Sequence, residues 1–435
     1  MPLRLVGDLD ANFGWDGTAL YRDDDFEPGR APNPQLRGAV AAVEGAASGP
    51  WRLVRDPLGI NKVFWAHDGD GTIVVASRPK RLVEAGHALH AIQALPRGVI
   101  VDLVPGRSPQ GQRVAPLETA AAPSADIGAI AAEIRSLLDR YLALLATAYA
   151  DRRVYVCLSG GLDSSGIAAL ARAHFADPVA VSFDLERLSG PPSDDRLAAE
   201  RLARDLGLSL LHATVTPDAL LAKVDVVLAE GIDWRDFNVH AGLVNAALAE
   251  RIAEDAGADG RSALVLTGDL ANEFLADYRA EEYRGATYYK LPRVAPAALR
   301  TQLIRGLDTC HREVGVFAAW NLAVVQPYAV AVDAYLRIPP EWLTRADRKQ
   351  DLSRAVFGRR LPEYVYTRKK VRAQLGSENG DGGVLALCVD SGFDDAALRR
   401  RFAALHGSDD ARVLDRFIRG GTYRSALPAL DEGSE

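Results

Sequence analysis

The sequence predicts an α/β fold, with a mostly β region ahead of a parallel sheet flanked by helices, and three observations predict it. Short segments of alternating apolar residues fill the chain up to Leu103. An apolar strand at 155–158 then breaks into a glycine-rich turn and runs on as a helix. Beyond that turn, apolar strands alternate with helical stretches, which is the pattern of a parallel sheet covered on both faces.

The elements follow in order. Segments 51–55, 62–66, 72–77 and 98–103 read as strands, punctuated by the turn clusters Asp56-Pro57-Leu58-Gly59 and Asp68-Gly69-Asp70-Gly71. Residues 104–126 are rich in Pro, Gly, Ser, Gln and Ala, the composition of a linker. The expected organisation is a β domain over 1–105, a linker over 106–126 and a second domain over 127–435. Ile130, Ile134, Leu137, Leu138, Tyr141, Leu142 and Leu145 recur at helical spacing and predict a long amphipathic helix leading into the strand at 155. Further strands are expected at 178–183, 209–215 and 263–268, with a helix over 194–206 and a mainly helical chain from about 295 onward. No internal repeat is visible.

Composition narrows the function classes. The chain has 435 residues, ordinary apolar and charged fractions and a net charge of −7, which argues against a dedicated nucleic-acid surface. Its three cysteines, Cys157, Cys310 and Cys388, lie far apart without metal-ligand spacing and suit a reducing compartment. With no signal peptide or membrane span in view, the cytoplasm is the expected location; a homo-oligomer is compatible with the sequence.

The turn Ser159-Gly160-Gly161-Leu162-Asp163-Ser164-Ser165 carries the chemistry. The first turn of a helix has unpaired N–H groups and a positive dipole end, so such a turn offers amides and Ser hydroxyls to a phosphate. It lacks the Lys of a Walker loop, and Asp163 is placed to hold Mg²⁺ against the phosphates. The motif resembles the pyrophosphate loop of ATP pyrophosphatases, which cut ATP between its α and β phosphates and pass AMP to a carboxylate or similar oxygen.

Taken in order, further landmarks resemble the asparagine synthetase and β-lactam synthetase family. They are Val181-Ser182-Phe183, Ser193-Asp194-Asp195, Thr267-Gly268-Asp269-Leu270-Ala271-Asn272-Glu273-Phe274, Gln326-Pro327-Tyr328 and Arg368-Lys369-Lys370. In the N-terminal part, Arg55-Asp56-Pro57-Leu58-Gly59-Ile60, Ala76-Ser77-Arg78-Pro79-Lys80 and Leu95-Pro96-Arg97-Gly98 resemble the later part of that family's glutaminase domain. The resemblance implies an N-terminal glutaminase-like remnant joined to a pyrophosphate-loop domain of the adenine nucleotide α-hydrolase type. A glutaminase of this kind uses an N-terminal Cys exposed on removal of Met1. Here residue 2 is Pro and no Cys precedes Cys157, so glutamine hydrolysis is not expected. The β-lactam synthetases and lasso-peptide cyclases likewise close an amide with an amine already on the substrate.

What the resemblance implies for the site is specific. Leu158, Ser159, Gly160, Gly161, Asp163, Ser164, Ser165, Val181, Ser182, Phe183 and Gly268 would surround ATP, with Lys349 and Lys370 at its phosphates. Asp163, Asn272 and Glu273 are the expected Mg²⁺ ligands, although the family usually has Asp where Asn272 stands. Lys370 would also stabilise the oxyanion of amide formation. Asp269 and Glu313 are the candidate pair that deprotonates the attacking amine, the alternative for Glu313 being a surface ion pair with Arg312. Gly376-Ser377-Glu378-Asn379-Gly380-Asp381-Gly382-Gly383 reads either as a lid that would keep water from an acyl-adenylate or as a disordered surface loop. Asn238 and His240 read as a helix cap and a half-buried His, with substrate contact as the other reading. The leading expectation is an AMP- and pyrophosphate-forming amide synthetase acting on a small-molecule or peptide carboxylate. An ATP pyrophosphatase that thiolates a base and an inactive homologue kept as a binding partner are the alternatives.

Overall fold

The structure, a computed structural model, describes residues 2–22, 36–45, 49–104, 107, 110–113, 117, 123–124, 126–186, 192–257, 263–369, 374–375, 383–410 and 412–414. At its centre Ser209–Val215, Val179–Leu185, Arg153–Cys157, Ala263–Leu266 and Ala323–Val325 lie side by side in that order, all parallel. Both Val179–Leu185 and Ala263–Leu266 are buried along their whole length; the second is an unbroken apolar run, and the first is apolar except at Ser182 and Asp184.

Period-2 alternation sends successive residues to opposite faces. Val154 and Val156 join a core built with the helices Ile127–Ala148 and Leu162–His174, while Tyr155 joins the other core with Leu243 and Ile252 of the helix Asp236–Ala256. From Arg153–Cys157 the chain steps outward through two strands, then crosses back to place Ala263–Leu266 on the other side. Strand order reverses between these two central strands, and the crevice at their carboxyl ends is where such sheets bind ligands.

The N-terminal region is mostly β. Leu3–Leu5, Ile73–Ala76, Phe64–His67 and Gln93–Ala94 form one sheet, and Gln110–Arg113, Val99–Leu103, Trp51–Arg55 and Ala41–Gly45 form a second. Leu20–Tyr21, Phe13–Trp15 and Arg37–Ala39 make a third, smaller one. Trp65, Ile73 and Val75 pack with Leu53, Val99 and Val101, whereas Phe64, Val74 and Ala76 face Val224, Leu228 and Phe402. One sheet therefore serves its own core and that of the nucleotide half.

Three departures from the sequence reading have physical reasons. Inside the stretch read as a linker, Gln110–Arg113 pairs antiparallel with Val99–Leu103; its four residues are all exposed, so no apolar pattern marks it. In the region read as mainly helical, Ala323–Val325 is the fifth strand of the central sheet, too short for any periodicity to register. Glu281–Tyr283 and Ala286–Tyr288 form a hairpin, too short to show alternation, whose Tyr283 and Tyr288 pack in a small cluster with Tyr289, Phe237 and Leu385. No helix among the described residues is long and apolar enough to cross a membrane.

Candidate active site

The glycine-rich turn leaves the strand Arg153–Cys157 and enters the helix Leu162–His174. Gly160 has φ +71°, and a Cβ there would lie 2.5 Å from the Cβ of Ala198, so the turn admits no side chain at this point. At the N-cap, Gly161 brings no side chain to the amides of the first turn, which leaves them for an incoming anion. Ser164 ties the turn together: its Oγ accepts from Ser159 N at 3.2 Å and donates to Gly161 O at 3.1 Å. Leu158 N donates to Val181 O at 2.8 Å, which sets the Val181-Ser182-Phe183 strand beside the turn. Ser182 is buried there.

Gly268 brings the second central strand to the same place. A Cβ at Gly268 would stand 2.6 Å from Ser164 N, so the end of Ala263–Leu266 presses against the first turn of the loop helix. Deeper in that helix, Gly166 faces the ring of Phe357, with Cζ only 2.3 Å from where a Cβ would sit. Phe357 ends the helix Arg348–Phe357, which starts beside Lys349.

Asp163 and Asn272 converge on one cation. The buried Lys349 Nζ donates to Asp163 Oδ2 and to Asn272 Oδ1, each at 2.5 Å, and lies 3.4 Å from Asp277 Oδ2. Burial works to discharge this ammonium, but Asp163 and Asp277 outweigh it and hold its pKa above the ordinary Lys value. Tyr328 OH donates to Asp163 O at 3.2 Å from the Pro-aromatic segment. Were Lys349 to turn to a phosphate, Asp163 and Asn272 would leave two hard oxygen donors of the kind that Mg²⁺ takes. Glu273 is not part of this pair. Its Oε1 accepts from Tyr278 OH at 2.7 Å and from Arg312 Nη2 at 3.2 Å instead. Among the described residues no set of three His, Cys, Asp or Glu side chains has metal-holding geometry.

Arg312 is the centre of the other half of the site. It is buried, reaches Glu313 Oε1 at 2.6 Å, donates to Asn238 Oδ1 at 2.6 Å and lies over the Phe237 ring at 5.0 Å. The surface ion pair expected of Arg312 and Glu313 is thus an interior one; adjacent charges in the turn before the short helix Val314–Ala318 carry no signal of burial in the sequence. Burial pushes the Glu313 carboxyl well above the usual range, opposed by Arg312 and reinforced by Asp269 and Glu273. Asp269 is raised as well, by burial against the pull of Arg312, with Glu273 and Asp163 adding to the rise. The structure therefore brings Asp269 and Glu313 within electrostatic reach of each other.

Other expected residues fall as follows. Asn238 lies in the first turn of Asp236–Ala256, donates to Asp233 Oδ2 at 2.7 Å and is buried, so it is neither cap nor surface group. His240 is fully rather than half buried, with Nδ1 3.0 Å from Tyr289 OH, and burial lowers its pKa to about 3. Lys370 lies outside the described residues, as do 376–382 of the Gly-rich run. Arg368 is described: Nη1 donates to Ser159 O at 3.3 Å and Nη2 to Asp195 Oδ1 at 2.7 Å, clamping this segment onto the turn. Burial lifts Asp195 to about 6 against the opposing effect of Arg368. Arg312, Tyr278 and the Asp195–Arg368 clamp are the contributions that sequence reasoning missed, although Asp195 and Arg368 both lie in motifs it had marked.

Residues 133–319 match the family model described as asparagine synthase. Over that stretch the chain is similar to asparagine synthase. Within it lie the phosphate turn, Gly268, Asn272 and the Arg312–Glu313 pair, while Lys349 and Arg368 come from beyond it. With its phosphate turn in place, this stretch marks an ATP-using ligase that forms carbon–nitrogen bonds. No curated protein matches the chain. Among solved structures it is similar to NAD+ synthetase from Burkholderia pseudomallei, at 18% identity over 69% of this chain and 95% of that one, with a TM-score of 0.28. NMN synthetase from Francisella tularensis is similar at 16% identity over 64% and 93%, with a TM-score of 0.26. The NH3-dependent NAD synthetase from Campylobacter jejuni subsp. jejuni NCTC 11168 follows at 19% identity over 40% and 73%, with a TM-score of 0.25.

Proposed function

We propose that the chain is an AMP- and pyrophosphate-forming amide synthetase that adenylates a substrate carboxylate and passes the acyl group to an amine or ammonia. The observation that carries this reading is the meeting, across the Gly268 contact, of a phosphate turn with a cluster of carboxylates of raised pKa. In the first step a carboxylate oxygen attacks the α-phosphorus and pyrophosphate leaves. The turn amides and Lys349 offset the charge that pyrophosphate carries away. Mg²⁺ held by Asp163 and Asn272 would add to that offset. In the second step the amine attacks the acyl carbon and AMP departs, and the amine's extra proton must go to a base. A raised pKa makes Glu313 or Asp269 a stronger proton acceptor once ionised, and Arg312 steadies the ionised form.

In this reading the N-terminal β region is a glutaminase-like remnant without glutaminase activity, and the partner is a small-molecule or peptide carboxylate rather than a nucleic acid. A screen of candidate carboxylates, including peptides and β-amino acids, followed by pyrophosphate detection and mass analysis, tests it. AMP and pyrophosphate in equal amounts are expected with at least one of them. Release of ADP and phosphate instead would sink the adenylation step, and glutamate formed from added glutamine would overturn the reading of the N-terminal region.

A further inference from the structure

The N-terminal region contributes two marked motifs, around Arg55 and around Arg78, for which the proposed chemistry has no direct use. Both end on one stretch of chain. Arg55 Nη1 lies 2.6 Å from Asp308 Oδ1, and its Nη2 donates to Asp308 O at 3.2 Å. Lys62 Nζ donates to Leu307 O at 2.7 Å. Arg78 holds Asp10 through both carboxylate oxygens, at 2.7 and 2.8 Å, and its Nη2 reaches Gly315 O at 3.4 Å. Asp10 Oδ2 in turn meets His311 Nε2 at 2.8 Å.

All of the ionisable side chains in this array are interior. Asp10 is 5% exposed, Arg78 3%, His311 2% and Lys62 1%. Burial opposes the charge on Asp10, but Arg78 and His311 overcome it and hold its pKa far below the usual carboxylate range. Burial and Arg78 push His311 down to about 3, so the imidazole is neutral. An ionised carboxylate can only accept, so Nε2 carries the proton and donates it to Asp10. Backbone geometry is equally tight: His311 N donates to Gly231 O at 2.9 Å, and a Cβ at Gly315 would lie 2.2 Å from Glu230 O and 2.3 Å from His311 Cδ2.

Residues of the same stretch face the other way. Next to His311, Arg312 reaches Glu273 and Asn238, and Glu313 joins the carboxylate cluster. A chain fixed on one side by Leu307, Asp308, His311 and Gly315 presents Arg312 and Glu313 on the other.

We propose that Asp10, through His311, is a positioning residue for amide formation, fixing the turn that presents Arg312 and Glu313 to the acceptor end of the site. Resting on the amide synthetase reading, this gives the N-terminal region a duty that needs no glutaminase chemistry: it is the back wall of the acceptor site. Its effect falls on the second step and leaves the phosphate turn alone.

The test compares His311→Ala, His311→Gln and Asp10→Asn in the full chain. Gln at 311 keeps a donor near the Nε2 position, and Ala does not. Hydrogen exchange in the apo protein should rise in residues 308–317 of His311→Ala and Asp10→Asn, stay near wild type at 155–166 and return to wild type in His311→Gln. With the carboxylate selected by the pyrophosphate screen and enzyme in excess over ATP, so that one turnover is followed, His311→Ala should lose tenfold or more in the rate of amide formation, keep the rate of pyrophosphate release within threefold and recover in His311→Gln. Exchange unchanged in all variants, or rising equally at 155–166, overturns the proposal, as does equal loss of both steps. Should wild type release no pyrophosphate with any carboxylate, the synthetase reading fails and exchange alone decides the positioning claim.

Discussion

The two ends of this site handle charge in opposite ways. At the phosphate end a single buried ammonium, Lys349, is shared by Asp163, Asn272 and Asp277, and Arg348 Nη2 lies 3.8 Å from Asp277 Oδ1, so two carboxylates face two cations. At the acceptor end Asp269, Glu273 and Glu313 lie around one guanidinium, and burial, reinforced by the neighbouring carboxylates, raises the pKa values of Asp269 and Glu313. On the amide synthetase reading, one end would receive more negative charge in the company of a divalent cation, and the other would gain positive charge only from a proton or an amine. Contact between Gly268 and the loop helix holds both ends against one strand boundary.

Four changes break or sharpen that contrast, taken from the largest effect. Asp163→Ala removes the carboxylate that faces Lys349 and the cation position, so pyrophosphate release should fall by about 10²-fold or more. Unchanged release would take the phosphate turn out of the reaction. Glu313→Gln should leave pyrophosphate release near wild type and lower amide formation by about 10²-fold, the usual weight of a general base. Because the folded pKa of Glu313 is raised, its ionised form accumulates only as pH climbs past that raised value. Amide formation in wild type should therefore rise with pH above the ordinary carboxylate range, and the rise should be missing from Glu313→Gln. A pH profile identical in the two proteins would assign the base elsewhere.

Gly268→Ala comes third. Its Cβ would lie 2.6 Å from Ser164 N, and overpacking of this kind costs about 1–3 kcal/mol, read as a lower unfolding midpoint together with slower pyrophosphate release. The smallest effect belongs to Arg284→Ala, which cuts an exposed pair with Asp390 between the tyrosine hairpin and a late helix. Its cost should stay below about 1 kcal/mol in urea unfolding, as for other exposed pairs.

The phosphate end was legible in the sequence because its parts are contiguous. Strand, turn and helix follow one another over 153–174, and the glycines that the turn needs are visible as letters. The acceptor end was legible only as fragments. Glu313 and Asp269 were candidates by resemblance, yet nothing local announces that Arg312 is interior, since its partners Asn238 and Glu273 come from two other helices. Glu273 departs from its expected place for the same reason: beside Asn272 in sequence, it meets Arg312 and Tyr278 while Asn272 meets Lys349, on a five-residue helix that begins after Leu270 in a left-handed conformation, φ +83°. The parallel core was readable from its apolar runs, whereas Ala323–Val325 and Gln110–Arg113 gain their strand character only from the neighbours they pair with.

Phe357 gives the molecule a spacer. Its ring fills the place where a side chain at 166 would begin, so the helix ending at Phe357 and the helix of the phosphate turn share one volume. Eight residues earlier on the same rod, about 12 Å away along its axis, Lys349 meets Asp163. The distance between ammonium and turn is thus gauged at a point remote from both, as calipers are set by their pivot. A smaller ring-free residue at 357 would loosen the gauge without touching a single polar contact of the site.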